Sequence, residues 1–139
     1  MLNYLFILII INAILVGIII MTQIISYPLF LKVSESSFAD YYNAYKNRIT
    51  IIVIPFMVTE LLLTLYIYLY SPNNIFFQIS TFILILIWMS TFFIQVPIHN
   101  KISIKLEHKM IGKLISTNWI RTFLWILKLF FLCIYYNCL

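Results

Sequence analysis

Polar side chains that can bind or move a proton are costly in an apolar chain, and here they fall at matched places. Gln23 and Tyr27 stand near the end of one apolar stretch, and Gln95, His99 and Asn100 near the end of another. Arg48, Asn118, Trp119 and Arg121 stand where two further stretches begin. A histidine that exchanges a proton, beside amide and guanidinium groups that orient a bound oxygen, is the minimum for acid–base work on a small molecule. On that chemistry His99 and Asn118 are the candidate catalytic residues. Gln23, Tyr27, Arg48, Gln95, Asn100, Trp119 and Arg121 are the candidate ligand-binding residues, forming a polar pocket at one end of the apolar stretches.

Glu60 and Lys128 lie inside apolar stretches. A charge at the bilayer centre costs at least about 2.5–3.5 kcal/mol, so it normally faces protein and has a partner. Glu60 falls about 16 Å into its stretch at roughly 1.5 Å per residue, and Lys128 falls at nearly the same depth. An intramembrane Glu60–Lys128 pair would be a structural clasp, with Arg121 as the competing partner, its side chain long enough to snorkel. A neutral, unpaired Glu60 would instead be a proton carrier.

Four elements must position these groups. The 139 residues are 64% hydrophobic and 9% charged, with a mean hydropathy of +1.05, against roughly 25% charged residues in soluble domains. The length allows one domain, here a single transmembrane unit. Stretches of about 20 apolar residues run at about 4–25, 49–70, 75–98 and 118–135, long enough to cross a hydrocarbon core of roughly 30 Å. Their all-round apolarity predicts helices rather than β-barrel strands. The fold class is therefore all-α: an integral membrane four-helix bundle. The first stretch has no basic start or small-residue cleavage site and reads as a retained span.

The connections predict the orientation. Of the 9 basic residues, all but Lys128 lie in or beside the links after spans one and three, whereas the link Ser71-Pro72-Asn73-Asn74 carries no charge. The positive-inside rule puts the basic side in the cytoplasm of a plasma (inner) membrane and both termini outside. The net charge of +5 is then met by anionic lipid, and no nucleic-acid partner is needed.

Both long links look alike. In each, a glutamine precedes a proline (Gln23 and Pro28, Gln95 and Pro97), and an asparagine and arginine open the next span (Asn47-Arg48, Asn118 and Arg121). This is either a parallel duplication or the ordinary chemistry of helices leaving a membrane. Each link also predicts a short interfacial amphipathic helix. In the first, Ser34 and Ser37 are candidate caps, Ser37 with Asp40 fits a capping box, and Phe38, Tyr41, Tyr42 and Tyr45 form an aromatic stripe. In the second, Lys101, Lys105, Lys109 and Lys113 form a ridge opposite Ile102, Leu106, Met110, Ile111 and Leu114.

Metal and cofactor motifs are not found. His99 and His108 lack zinc spacing, and a haem held by both gives way to interfacial histidines. Gly17 and Gly112 stand alone, so no phosphate-cradling loop forms. Cys133 and Cys138 are read as buried free thiols.

The segments Tyr41-Tyr42 through Tyr45 to Arg48, Pro55-x-Met57-x-x-Glu60, Gln95-Val-Pro-Ile-His99-Asn100 and Thr117-Asn118-Trp119-Ile-Arg121-Thr122 with Trp125 resemble a group of small bacterial four-span membrane proteins. More distantly the chain is similar to the DUF1772 family, which includes the fungal anthrone oxygenases. The match lies in the four-helix layout and in Asn118-x-x-Arg121 near the start of the last helix. A histidine is common in the first link of that family, where this chain reads Tyr41-Tyr42-Asn43. The resemblance implies oxidation of a small aromatic molecule without a bound metal.

Three functions follow as expectations. The chain binds or oxidises a small aromatic or lipid-like molecule at the cytoplasmic side, with His99 as acid–base and Asn118, Gln95 and Arg121 orienting the ligand. Alternatively it is a proton-coupled transporter using Glu60, as a homodimer because four helices rarely enclose a pathway. Or it is an accessory subunit without chemistry, recognising a partner through an apolar helix face.

Overall fold

The computed structural model describes residues 2–104 and 107–138. They form four long helical rods, which we label α1 (Leu2–Lys32), α2 (Glu35–Tyr70), α3 (75–104) and α4 (His108–Asn137). All four are long and apolar enough to cross a membrane, and no strand occurs among the described residues. Around the bundle, α1 and α3 each pack between α2 and α4, so α2 and α4 face each other across the diagonal.

The packing is layered. Leu5, Leu8, Ile67, Phe77, Leu132 and Tyr135 fill the end beside the 71–74 turn. Ile11, Leu15, Ile19, Met57, Ile83, Ile87 and Trp125 fill the middle. At the opposite end Tyr27, Phe30, Phe38, Tyr42, Ile98, Ile102, Ile111 and Leu114 form a third cluster. Large apolar side chains such as Phe93, 75% exposed, point outward. Lipid tails are as apolar as those side chains, so close packing and interhelical hydrogen bonds carry the association.

The links differ from expectation. The rods overrun the expected spans at the basic end: α2 is one helix of 36 residues, about 54 Å long at roughly 1.5 Å per residue. No separate interfacial helix precedes it, because nothing between Glu35 and Arg48 breaks a helix. Phe38 and Tyr42 are buried and Tyr45 is half-buried against Phe30, while Tyr41 remains exposed. The stripe is thus mostly bundle core, not a surface anchor. Ser34, in extended backbone, occupies the position before α2, and its Oγ meets Ser37 Oγ at 2.7 Å. Ser37 therefore sits inside the first turn and the expected capping box does not form.

In the second link, Ile102, Ile111 and Leu114 are buried between α3 and α4, whereas Lys101, Lys109 and Lys113 are exposed. Lys105 and Leu106 of that pattern lie outside the described residues. Both cysteines are free, but Cys133 is half-buried and Cys138 exposed, so the expected burial is corrected.

Spans one and three share a distortion. A π-helical turn interrupts α1 at Thr22–Ser26 and α3 at Thr91–Gln95. Pro28 and Pro97 follow at the same distance from the opening threonine. A proline has no N–H for the carbonyl one turn back, and its ring crowds that carbonyl, so the helix widens. In each turn the threonine hydroxyl donates to a carbonyl one turn earlier, Thr22 to Ile18 and Thr91 to Ile87, both at 2.8 Å. Thr-x-x-x-x-x-Pro is therefore the shared feature of the two links, and the glutamines fall at different registers from the proline.

Candidate functional site

A cavity of about 620 Å³ opens between the helices towards the basic end. Among the candidates from sequence, Tyr27, Gln95, His99, Asn100 and Arg121 reach its wall. Below them the lining turns apolar, through Leu15, Met57, Trp88 and Trp125. Its side wall between α2 and α3 includes Ile54 and Phe92, which are 52% and 56% exposed. The cavity therefore opens sideways, between helices, and not only at an end.

His99 is the best-held polar group on the wall. Its Nε2 lies 3.2 Å from Tyr27 Oη, and its Nδ1 hydrogen-bonds Tyr42 Oη. A neutral imidazole donates from one ring nitrogen and accepts at the other. One tyrosine therefore donates and the other accepts, which fixes the ring plane from both sides. The Tyr42 ring also stacks on the imidazole with centroids 6.0 Å apart, and Tyr27 meets it edge-on at 5.9 Å. The π turn at Thr91–Gln95 sets this up, since His99 lies four residues beyond its end on α3. Gln95 donates to Thr117 Oγ1 at 3.1 Å, tying α3 to α4.

The remaining candidates stand elsewhere. Asn118 is fully buried and donates to Gln23 Oε1 at 2.7 Å. Gln23 in turn donates to the Ile115 carbonyl at 2.9 Å. This pair staples α1 to α4 off the cavity wall, so Asn118 cannot touch a ligand there and neither can Gln23. Their polarity serves the helices because each amide donates to a partner within the bundle. Trp119 is 53% exposed on the outer face of α4, and Arg48 is exposed on α2, both away from the wall. Positions 118 to 121 are helical, so successive side chains point about 100° apart: Asn118 turns inward onto α1, and of the four only Arg121 reaches the cavity.

Glu60 and Lys128 meet across the bundle diagonal, Lys128 Nζ donating to Glu60 Oε1 at 2.7 Å, both fully buried. Lys128 also donates to Thr64 Oγ1 at 3.1 Å. Asn12 Nδ2 donates to Glu60 Oε1, and Trp125 Nε1 to Oε2 at 3.2 Å. Glu60 is off the cavity wall, with the Trp125 indole between. Arg121 lies on the cavity side of that indole, 5.5 Å from the centroid of the Trp125 ring.

Several participants escape a reading by residue type. Tyr42, Tyr45 and Lys46 pass as interfacial decoration, and Asn12, Thr64 and Trp125 as filler. The signal that marks them is spacing: Arg121, Trp125 and Lys128 recur at four and three residues and so share a helix face, and Glu60 and Thr64, four apart, share another. Among the described residues no group of His, Cys, Asp and Glu could hold a metal ion. Comparison with known proteins found no matching family model, curated protein or solved structure.

Proposed function

We propose that this chain is a multi-pass membrane protein that binds a small aromatic or lipid-like molecule in the cavity between its helices. The observation that carries the reading is the cavity itself: about 620 Å³, apolar below, with a few convergent polar groups at one end. Ligand sites run to roughly 300–1,000 Å³ with that division of lining. On this reading the basic end faces the cytoplasm, and the overrunning ends of α2 and α4 stand at headgroup level. The gap between α2 and α3 then opens to acyl chains, so a ligand dissolved in the leaflet enters sideways. His99, braced by Tyr27 and Tyr42, meets the polar end of the molecule, with Gln95 and Asn100 beside it. The likeness to anthrone oxygenases is in keeping with an aromatic body against Trp88 and Trp125.

The test is purification in mild detergent followed by mass spectrometry of co-purifying small molecules. The expected result is one molecular class enriched over the surrounding lipid. Ile54→Trp, at the lipid-exposed rim, should deplete it by about tenfold with the unfolding midpoint unchanged, since losing about 1.4 kcal/mol of binding is tenfold. No enriched molecule in the parent protein, or equal enrichment in the variant, overturns the reading.

A further inference from the structure

Arg121 lines the cavity without a counter-charge. Its Nη1 reaches Thr91 Oγ1 at 3.4 Å and its Nε has no hydrogen-bond partner. The Trp125 ring at 5.5 Å supplies a cation–π contact, which attracts the guanidinium but leaves its charge in place. Lys46, half-buried, stands on the same wall nearer the basic end, and no Asp or Glu does. The Glu60 carboxylate is held by Lys128, Glu35 and Asp40 are exposed near the start of α2, and Glu107 is exposed just before α4. Among the described residues the Lys128–Glu60 contact is the only ion pair. A cation withdrawn from water and left unpaired is costly, and an arginine fork with an open edge matches two oxygens of a carboxylate or phosphate.

We propose that the ligand is an anionic amphiphile, its carboxylate or phosphate head on Arg121 with Lys46 contributing, and its apolar body leaving between α2 and α3. The inference rests on the cavity reading above and adds the charge of the head. Hydrocarbon lies along Leu15, Met57 and Trp88 and passes out beside Ile54 and Phe92, while the head stays on Arg121 beside Thr91. A neutral ligand would leave both cations uncompensated.

Native mass spectrometry of the full chain, titrated separately with oleate, oleoyl lysophosphatidate and monoolein, tests it. At least one anion should bind about tenfold or more tightly than neutral monoolein, the usual worth of a charge-assisted hydrogen bond. Tighter oleate assigns the site to a free carboxylate, and tighter lysophosphatidate to a phosphate-headed lipid. Arg121→Gln should erase the preference and Arg121→Lys should keep it. Should Arg121→Gln not fold, Lys46→Gln at the cavity rim should still lower anion affinity relative to monoolein. An anion preference that survives Arg121→Gln, or that Lys46→Gln leaves intact, overturns the inference. If monoolein binds as tightly as the anions and Ile54→Trp abolishes it, the anionic head falls and the cavity reading stands. If none of the three binds, the anionic amphiphile falls, and the cavity reading is decided by the co-purification above.

Discussion

With Oε1 taken by Asn12 and Lys128 and Oε2 by Trp125, Glu60 accepts three hydrogen bonds from two other helices, α1 and α4. Lys128 adds Thr64. Attraction in a low-dielectric interior offsets desolvation only when such supporting hydrogen bonds exist. The pair is therefore sensitive to one-sided change. Lys128→Met keeps the volume of the stem but strands a buried carboxylate, and should cost about 3–5 kcal/mol of stability. Adding Glu60→Gln removes the stranded charge while leaving an amide oxygen for Trp125 or Asn12. The double variant should recover at least half of the loss, read from unfolding midpoints in detergent. A double variant no more stable than Lys128→Met alone would show that the charges are not coupled. Arg121, four residues before Trp125 on the same helix, has no such set, and that contrast is what the proposed anionic ligand answers.

The helices give these residues their neighbours through two widened turns. A π turn holds one residue more than an α turn, so it rotates everything beyond it relative to everything before. In α3 that extra residue lies within Thr91–Gln95, and the rotation carries His99 to Tyr27 and Tyr42. Deleting Phe93, which is exposed, together with Pro97→Ala should close the turn to α-helix and keep both registers. Deleting Ile85, also exposed but in regular helix, should rotate the rest of α3 by about 100° and uncouple it from α4. The first deletion should lower the unfolding midpoint far less than the second, and equal losses would show that the wide turn sets no register. This also explains what was legible. The four helices and the depth match of Glu60 with Lys128 follow from apolar run length and rise per residue, which are local quantities. The sorting of Gln23, Asn118 and Trp119 off the cavity depends on the rotation of each helix about its axis, which in α1 the π turn alters. The aromatic stripe at 38–45 was visible as a stripe, but only the continuity of α2 turns it inward onto Phe30.

At the scale of the molecule, charge and shape are both lopsided. Lys32, Arg48, Lys101, Lys109 and Lys113 are exposed at the cavity end. At the far end Asn74 caps α3 through the Phe76 N–H at 3.0 Å and donates to Tyr135 Oη at 3.1 Å, which pins the uncharged 71–74 turn to the last turns of α4. A bilayer with an anionic cytoplasmic leaflet favours keeping the basic end inside, and in the proposed orientation the cavity would sample molecules of the inner leaflet. The two cysteines make this checkable without added labels. Cys138 is exposed beside the uncharged end, and Cys133 is half-buried one turn deeper. A membrane-impermeant maleimide applied to intact cells should modify the protein, and Cys138→Ser should abolish the reaction. In a Cys138→Ser background, Ser36→Cys at the exposed start of α2 should react only after permeabilisation. The reverse pattern would place the basic end outside, against the positive-inside rule, and the cavity would then draw its ligand from the outer leaflet.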